Sequence, residues 1–210
     1  MKFHWRALLL ISFVLVASSH NVADEQSKKE FFPLADGCEW RYQHLQNSVS
    51  STIIQRIASV EVVSGEVLTR KENVVDGRVI GYEIVSCNSK GLFQHQRNDT
   101  PVQPPMLVVR FPLKDTDKWQ TKSKYGEQTI VVDNQASTEE IQIPIGKLKT
   151  IKVVSKATIE PPRKVFVTTT WFAPGIGIAK AVSKTPDAPE SEITMVLEKF
   201  TRKKVLSLDP

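Results

Sequence analysis

Three kinds of side chain in this sequence are equipped for chemistry: thiols, imidazoles and neighbouring carboxylates. Cys38 and Cys87 are the only cysteines. Their spacing fits neither a Cys-x-x-Cys redox motif nor a zinc site. In an oxidising compartment they allow one pairing, and a Cys38–Cys87 bridge across so long a loop would contribute about 4 kcal/mol through chain entropy. Two separate buried thiols are the alternative. Histidine can carry protons or hold a metal. After residue 19 it occurs at His20, His44 and His95. Strand alternation puts Trp40, Tyr42 and His44 on one face, and Phe93 with His95 on another, so the two imidazoles could share an inner surface. No third ligand is indicated, and both are expected to be ordinary strand histidines.

The acidic residues offer less. Asp115 and Asp117 open like a calcium loop, but no Gly stands at the sixth position and no Glu at the twelfth. Glu139-Glu140 has the look of a solvated strand start; glycoside hydrolysis would need a partnered pair and a sugar-stacking cleft. There is no Gly-x-Ser-x-Gly elbow, His-Glu-x-x-His, phosphate loop or dinucleotide fingerprint. Gly175-Ile176-Gly177 is too short for the last and suits a tight turn. No metal and no cofactor is expected, and hydrolase is a remote alternative. Asn98-Asp99-Thr100 is a formal glycosylation acceptor, relevant only in a eukaryotic host.

These residues sit in a chain of 210, with 40% apolar and 24% charged residues. That composition fits a globular domain and excludes collagen-like, disordered and multi-pass membrane classes. Met1–Ser19 has a basic start at Lys2 and Arg6, an apolar run from Ala7 to Val16 and small residues at Ala17–Ser19. This is the three-part pattern of a secretory signal peptide. Cleavage is expected after Ser19, with Ala23 second, leaving no transmembrane anchor and a secreted or periplasmic protein. The formal charge of +5 then loses the two charges of Lys2 and Arg6. The remaining basic clusters are short, and nucleic acid is not an expected partner. Residues 20–30 read as a flexible arm, 31–200 as one β domain and 201–210 as a tail.

From Phe31 onward, short runs rich in Val, Ile and Thr alternate with turn chemistry such as Ser64-Gly65, Asp76-Gly77, Tyr125-Gly126 and Pro174-Gly175. Thirteen candidate strands follow, among them 106–111, 128–133 and 139–143. Only 51–63 has helical spacing, at Ile53, Ile54, Ile57, Val60 and Val63. The fold expected is all-β: an antiparallel meander of about 10–13 strands in one curved sheet, half-barrel or barrel.

One internal repeat stands out. Phe32, Pro33, Leu34, Asp36 and Trp40 recur without gaps at Phe111, Pro112, Leu113, Asp115 and Trp119. Proline fixes the backbone and cannot sit in a central strand, so each copy is a lead-in. Its Phe and Leu plug the core, its Asp forms a turn, and its Trp anchors the next strand. This divides the domain into halves, 31–98 and 106–200, with the proline-rich Asp99–Pro105 as their junction. Trp40, Trp119 and Trp171 are expected core anchors.

The opening FFPLADGCEWRY, then IPIGKLKTIKVVSK (143–156), TTWFAPGIGIAKAV (169–182) and LEKF (197–200) occur in that order. The series resembles a family of exported bacterial envelope proteins of unknown function. Its pattern is YPLxxGxxWxY, PAGxYKTVxV, YYFAxGVGxVK and LEKF. Two departures are Pro144-Ile145-Gly146 for Pro-Ala-Gly, and Cys38 where the family has a small or polar residue. The resemblance extends to strongly curved sheets such as those of periplasmic lipoprotein carriers. It implies an apolar or lipid ligand on a concave face and supplies no catalytic residues. A structural or protein-interaction module of the envelope, with another envelope protein as partner, is the alternative.

Overall fold

The computed structural model of this chain describes residues 32–202. The signal peptide, the arm, the cleavage sites and all but the first two residues of the tail lie outside them. The described residues form twelve strands: β1 (Cys38–Gln46), β2 (Val49–Val63), β3 (Glu66–Val75), β4 (Arg78–Asn88), β5 (Gly91–Arg97), β6 (Thr100–Arg110), β7 (Lys118–Tyr125), β8 (Gln128–Ile143), β9 (Gly146–Glu160), β10 (Lys164–Ala173), β11 (Gly177–Thr185) and β12 (Ala188–Arg202). Each pairs antiparallel with the next, and β1 also pairs with β12, which closes a barrel. Closure removes the free sheet edges that a half-barrel would leave. At Asp76-Gly77 both central φ values are positive, at 49° and 76°, as a two-residue hairpin turn requires.

The segment with helical spacing is the strand β2. Its β-branched residues point to both faces: Ile57 is buried inside, while Val62 and Val63 are exposed. Two of the thirteen candidate strands, 128–133 and 139–143, are one continuous strand, β8. Asn134, which looks like a turn residue, faces inward and accepts the Ser155 hydroxyl at 2.6 Å.

The two ends of the barrel differ. At one end lie the starts of β1 and β7, the 64–65, 89–90, 144–145 and 174–176 turns, and both copies of the repeat. Phe32 and Phe111 are buried in one cluster with Val85, Leu92, Val109, Ala136, Val153 and Phe172, and Leu34 and Leu113 pack against it. This end is filled. A second cluster holds Cys38, Trp40, Tyr42, Ile57 and Leu197. Trp40 Nε1 donates to the Ile176 carbonyl at 2.6 Å, and Tyr42 Oη to the Ile178 carbonyl at 3.0 Å. Burial of Tyr42 pushes its phenol well above the usual tyrosine range.

The repeat has a common backbone geometry. Cys38 N donates to Ala35 O at 3.2 Å, and Asp117 N to Lys114 O at 3.3 Å, in equivalent turns. The turn residues Gly37 and Thr116 both have positive φ, 74° and 66°. A β-branched residue is strained there. Thr116→Gly should therefore raise stability by about 1 kcal/mol, measured by urea denaturation. An unchanged or lowered midpoint would mean that Thr116 carries no such strain. Six strands follow each lead-in, and the boundary falls at Phe111. The proline-rich stretch 99–105 is not a junction between halves; most of it lies within β6.

The cysteines are free thiols. Cys38 is on β1 and Cys87 on β4, with β2 and β3 between them. Three strand spacings are about 14 Å along the sheet, beyond the Cα separation a disulfide tolerates. Leu34 packs against both the cluster that holds Cys38 and the one that Cys87 borders. The expected Cys38–Cys87 bridge is therefore absent, and the alternative of two separate thiols holds. Burial pushes the Cys87 thiol up to about 11, which keeps it protonated and unreactive.

Candidate functional site

The other end of the barrel is open and contains a cavity of about 640 Å³. The same inner-face alternation that places Ala136 and Val153 in the filled cluster places Val132 and Ile130 of β8, and Ala157 and Ile159 of β9, along this lumen. Met106 and Val108 of β6 and Phe166 of β10 complete its apolar wall. The void has a simple cause in side-chain volume. The filled end carries Phe32, Trp40, Phe111 and Phe172 inward, whereas here the inward positions include Ser155, Ala157, Thr168, Thr170 and Ser183.

Most polar groups of the wall satisfy one another. Ser155 donates to Asn134, whose amide reaches the Trp119 and Val132 carbonyls at 3.4 Å, and Thr168 and Ser183 share a hydrogen bond of 3.2 Å. Paired in this way they present a largely apolar surface. The charged side chain on the lining is Arg97, at the mouth and exposed.

The opposite side of the lumen is polar. Lys71 of β3 and Glu83 of β4 form an ion pair of 3.1 Å, and Gln55 of β2 donates to Asn73 of β3 at 2.9 Å. Burial pushes the Glu83 carboxyl up. The Lys71 ammonium, with smaller help from Arg97 and Gln94, outweighs this and holds it below the usual carboxylate range. Lumen and pair are contiguous, because Glu83 is in register with Arg97, and Gln94 with Met106.

The wall has one weak seam. The β6–β7 ladder has two rungs, Val102–Tyr125 and Gln103–Lys124. Pro104 and Pro105 follow and have no N–H to donate. Met106–Arg110 then pair with β5 and not with β7. Across the seam Thr121 Oγ1 donates to the Leu107 carbonyl at 3.1 Å. On the inner face of β7, Trp119 Nε1 and Ser123 Oγ are buried without a hydrogen-bond partner.

The residues singled out in the sequence fall into place around this frame. Phe32, Pro33, Leu34, Phe111 and Leu113 belong to the filled end; Pro112 and Asp36 are exposed in its lead-ins. Asp117 accepts from Lys114 N at 3.1 Å and holds the lead-in turn, while Asp115 accepts from Thr138 N at 2.7 Å and ties the lead-in to β8. Pro174 and Gly175 form the β10–β11 turn, where Ile176 N donates to Ala173 O at 3.2 Å. Gly177 has φ 89°, and a Cβ there would meet the Phe32 ring at 3.0 Å. Trp171 is buried beneath Lys152 and Lys180, whose ammonium groups lie 5.7 and 4.9 Å from its ring centre. Glu139 and Glu140 pair with Lys152 and Lys147. Glu139 is held below the usual carboxylate range by its hydrogen bond from Lys152.

His44 and His95 are not brought together. His44 meets Ser51 at 3.2 Å. His95 Nε2 lies 2.7 Å from Ser86 Oγ and 3.5 Å from Glu66 Oε1, and Ser86 Oγ donates to Glu66 at 2.7 Å. The residue types are those of a catalytic triad, but the geometry is not. Hydroxyl and carboxylate meet the same imidazole nitrogen, and Ser86 is buried with no room for a substrate. Among the described residues, no three His, Cys, Asp or Glu side chains gather as a metal site would require.

Arg97, Lys71, Glu83 and the small lumen residues escape a motif search. Their signal is a run of small residues at alternate positions, such as Ser155-x-Ala157 and Thr168-x-Thr170, where a filled barrel would carry large ones.

An all-β meander closed into a barrel, densely packed at one end and with its larger cavity at the other, defines the class of protein. No family model matches the chain, and no curated protein matches it. Two solved structures share the fold. One is a Bacteroides fragilis protein described as exported, with a YmcC-like fold. It has a TM-score of 0.56 and 17% identity, covering 82% of this chain and 99% of that one. The other, described as a lipoprotein, is from Parabacteroides distasonis. It has a TM-score of 0.57 and 14% identity, covering 81% and 98%. At these identities the likeness is one of fold.

Proposed function

We propose that this chain is an exported, non-enzymatic protein of the cell envelope that holds an apolar or lipid ligand in the open end of its barrel. The observation that carries this reading is the cavity of about 640 Å³. It lies within the roughly 300–1,000 Å³ typical of small-molecule sites and is walled by Met, Val, Ile and Phe. The signal-peptide pattern and the four-motif resemblance to envelope proteins support the location. So do the descriptions of the two fold relatives as an exported protein and a lipoprotein.

The test is native mass spectrometry on protein purified from its own envelope, beside an Ala157→Trp variant. Ala157 lines the cavity and a tryptophan there fills it. The native wild-type mass should exceed the denatured mass, the excess should appear in a lipid extract, and the variant should lack it. A wild-type mass equal to the bare polypeptide would overturn the reading.

A second reading, an interaction module of the envelope, has one observation in its favour. The β2–β3 hairpin exposes Val62 (71%), Val67 (50%) and Val63 (49%) at its tip. Neighbouring valines at that exposure suit a protein contact.

A further inference from the structure

Resting on the lumen reading above, we propose that the ligand is an amphiphile with an anionic head, bound with its head at Arg97 and an alkyl tail along β8–β10. The argument is one of charge and position. Arg97 stands at the mouth of the cavity and is the one charged side chain on its lining. None of the ion pairs among the described residues uses it. Its register partner Glu83 is committed to Lys71 at 3.1 Å, so that pair is neutral as a unit. The neighbouring Asp99 accepts the Tyr82 hydroxyl at 2.9 Å. One positive charge is left over at the lumen rim. A guanidinium offers paired N–H donors that match a carboxylate or phosphate, and an ammonium or neutral head gains nothing there.

Depth supports the same orientation. Going inward from Arg97, the β8 wall runs Ile130, Val132 and then Asn134, whose amide is satisfied by Ser155. A methylene chain can lie along it without leaving a polar group unpaired. The filled cluster around Phe32 stops the chain at the other end.

The experiment uses purified, delipidated protein and four probes with the same tail: laurate, dodecyl phosphate, dodecanol and dodecylamine. Calorimetric titration of the wild type should show both anions binding about tenfold or more tighter than dodecanol, with dodecylamine weakest. The tighter of the two anions names the head. Arg97→Gln should bring the anions down to the dodecanol level while leaving dodecanol itself unchanged, and Arg97→Glu should reverse the order in favour of dodecylamine. Arg97 is exposed, and far-UV circular dichroism checks that both variants keep the barrel. Equal binding of laurate and dodecanol by the wild type would overturn the anionic head and leave the apolar lumen standing. So would an Arg97→Gln loss that falls equally on both. Failure of all four probes to bind would remove the lumen reading itself and this inference with it.

Discussion

Trp40→Phe should lower the folding stability by about 1–3 kcal/mol, whereas the same change at Trp119 should leave it unchanged or raise it. The two tryptophans occupy equivalent positions of the repeat, so sequence alone treats them alike. Their indole N–H groups have opposite fates. Trp40 is 1% exposed, stacks on Phe200 at 5.4 Å and donates to the Ile176 carbonyl at 2.6 Å. Phenylalanine keeps an aromatic ring, though a smaller one, and strips that carbonyl of its donor. At Trp119 the buried Nε1 has no acceptor. The folded state already bears the desolvation of that group, and phenylalanine removes it. Truncation to alanine should follow the same order, with Trp40→Ala costing about 3–5 kcal/mol and Trp119→Ala less, since its ring is only partly buried. Urea denaturation of the four variants measures all of this. Equal losses for the two phenylalanine variants would mean that Trp119 Nε1 has a partner in solution, and the lumen beside it would be the place to look.

The same pair of residues shows what the sequence discloses and where it stops. The alternating Val, Ile and Thr runs and the turn pairs mark the strands because each acts within a few residues. The repeat is legible for the same reason: Ala35–Cys38 and Lys114–Asp117 close the same local turn. Closure of the barrel is not local. It depends on β1 meeting β12 across the whole chain, and no residue pattern distinguishes it from an open half-barrel. Distance also defeats the disulfide reading. Two thiols in a chain expected to be exported are compatible with a bridge until topology puts β2 and β3 between them. Pro104 and Pro105 carry a genuine signal, but their effect is to end a ladder inside β6, not to separate two halves. The candidate site is the least legible part. It is built from what is missing, side-chain volume at Ser155, Ala157, Thr168 and Ser183, and a motif search registers residues that are present. Arg97 becomes notable only once Glu83 is seen to be taken by Lys71.

That ion pair carries the other large effect. Lys71→Met should destabilise the barrel by about 3–5 kcal/mol at neutral pH, while the double variant Lys71→Met, Glu83→Gln should recover most of the loss. Lys71 is 7% exposed and Glu83 24%, so removing the ammonium leaves a carboxylate in a poorly solvated lumen. Removing both charges leaves neither group stranded. The pH dependence follows from the direction of the Glu83 shift. In the wild type its folded value lies below the unfolded one. The pair's contribution is therefore fully present above about pH 4.3, the ordinary value for Glu, and fades as pH falls through the lower folded value. Without Lys71 the effect of burial, which raises the folded value, is opposed only by the smaller contributions of Arg97 and Gln94, so that value moves up. The stranded carboxylate then takes up a proton as pH falls, and the penalty for its charge disappears. The stability gap between wild type and Lys71→Met should accordingly narrow from pH 7 to pH 4, although both proteins weaken overall. Groups unaffected by the substitution cancel in that difference. Urea midpoints at the two pH values read it directly. A gap that stays constant would mean that Glu83 is solvated well enough to need no partner, and the lumen would then carry a negative charge facing Arg97.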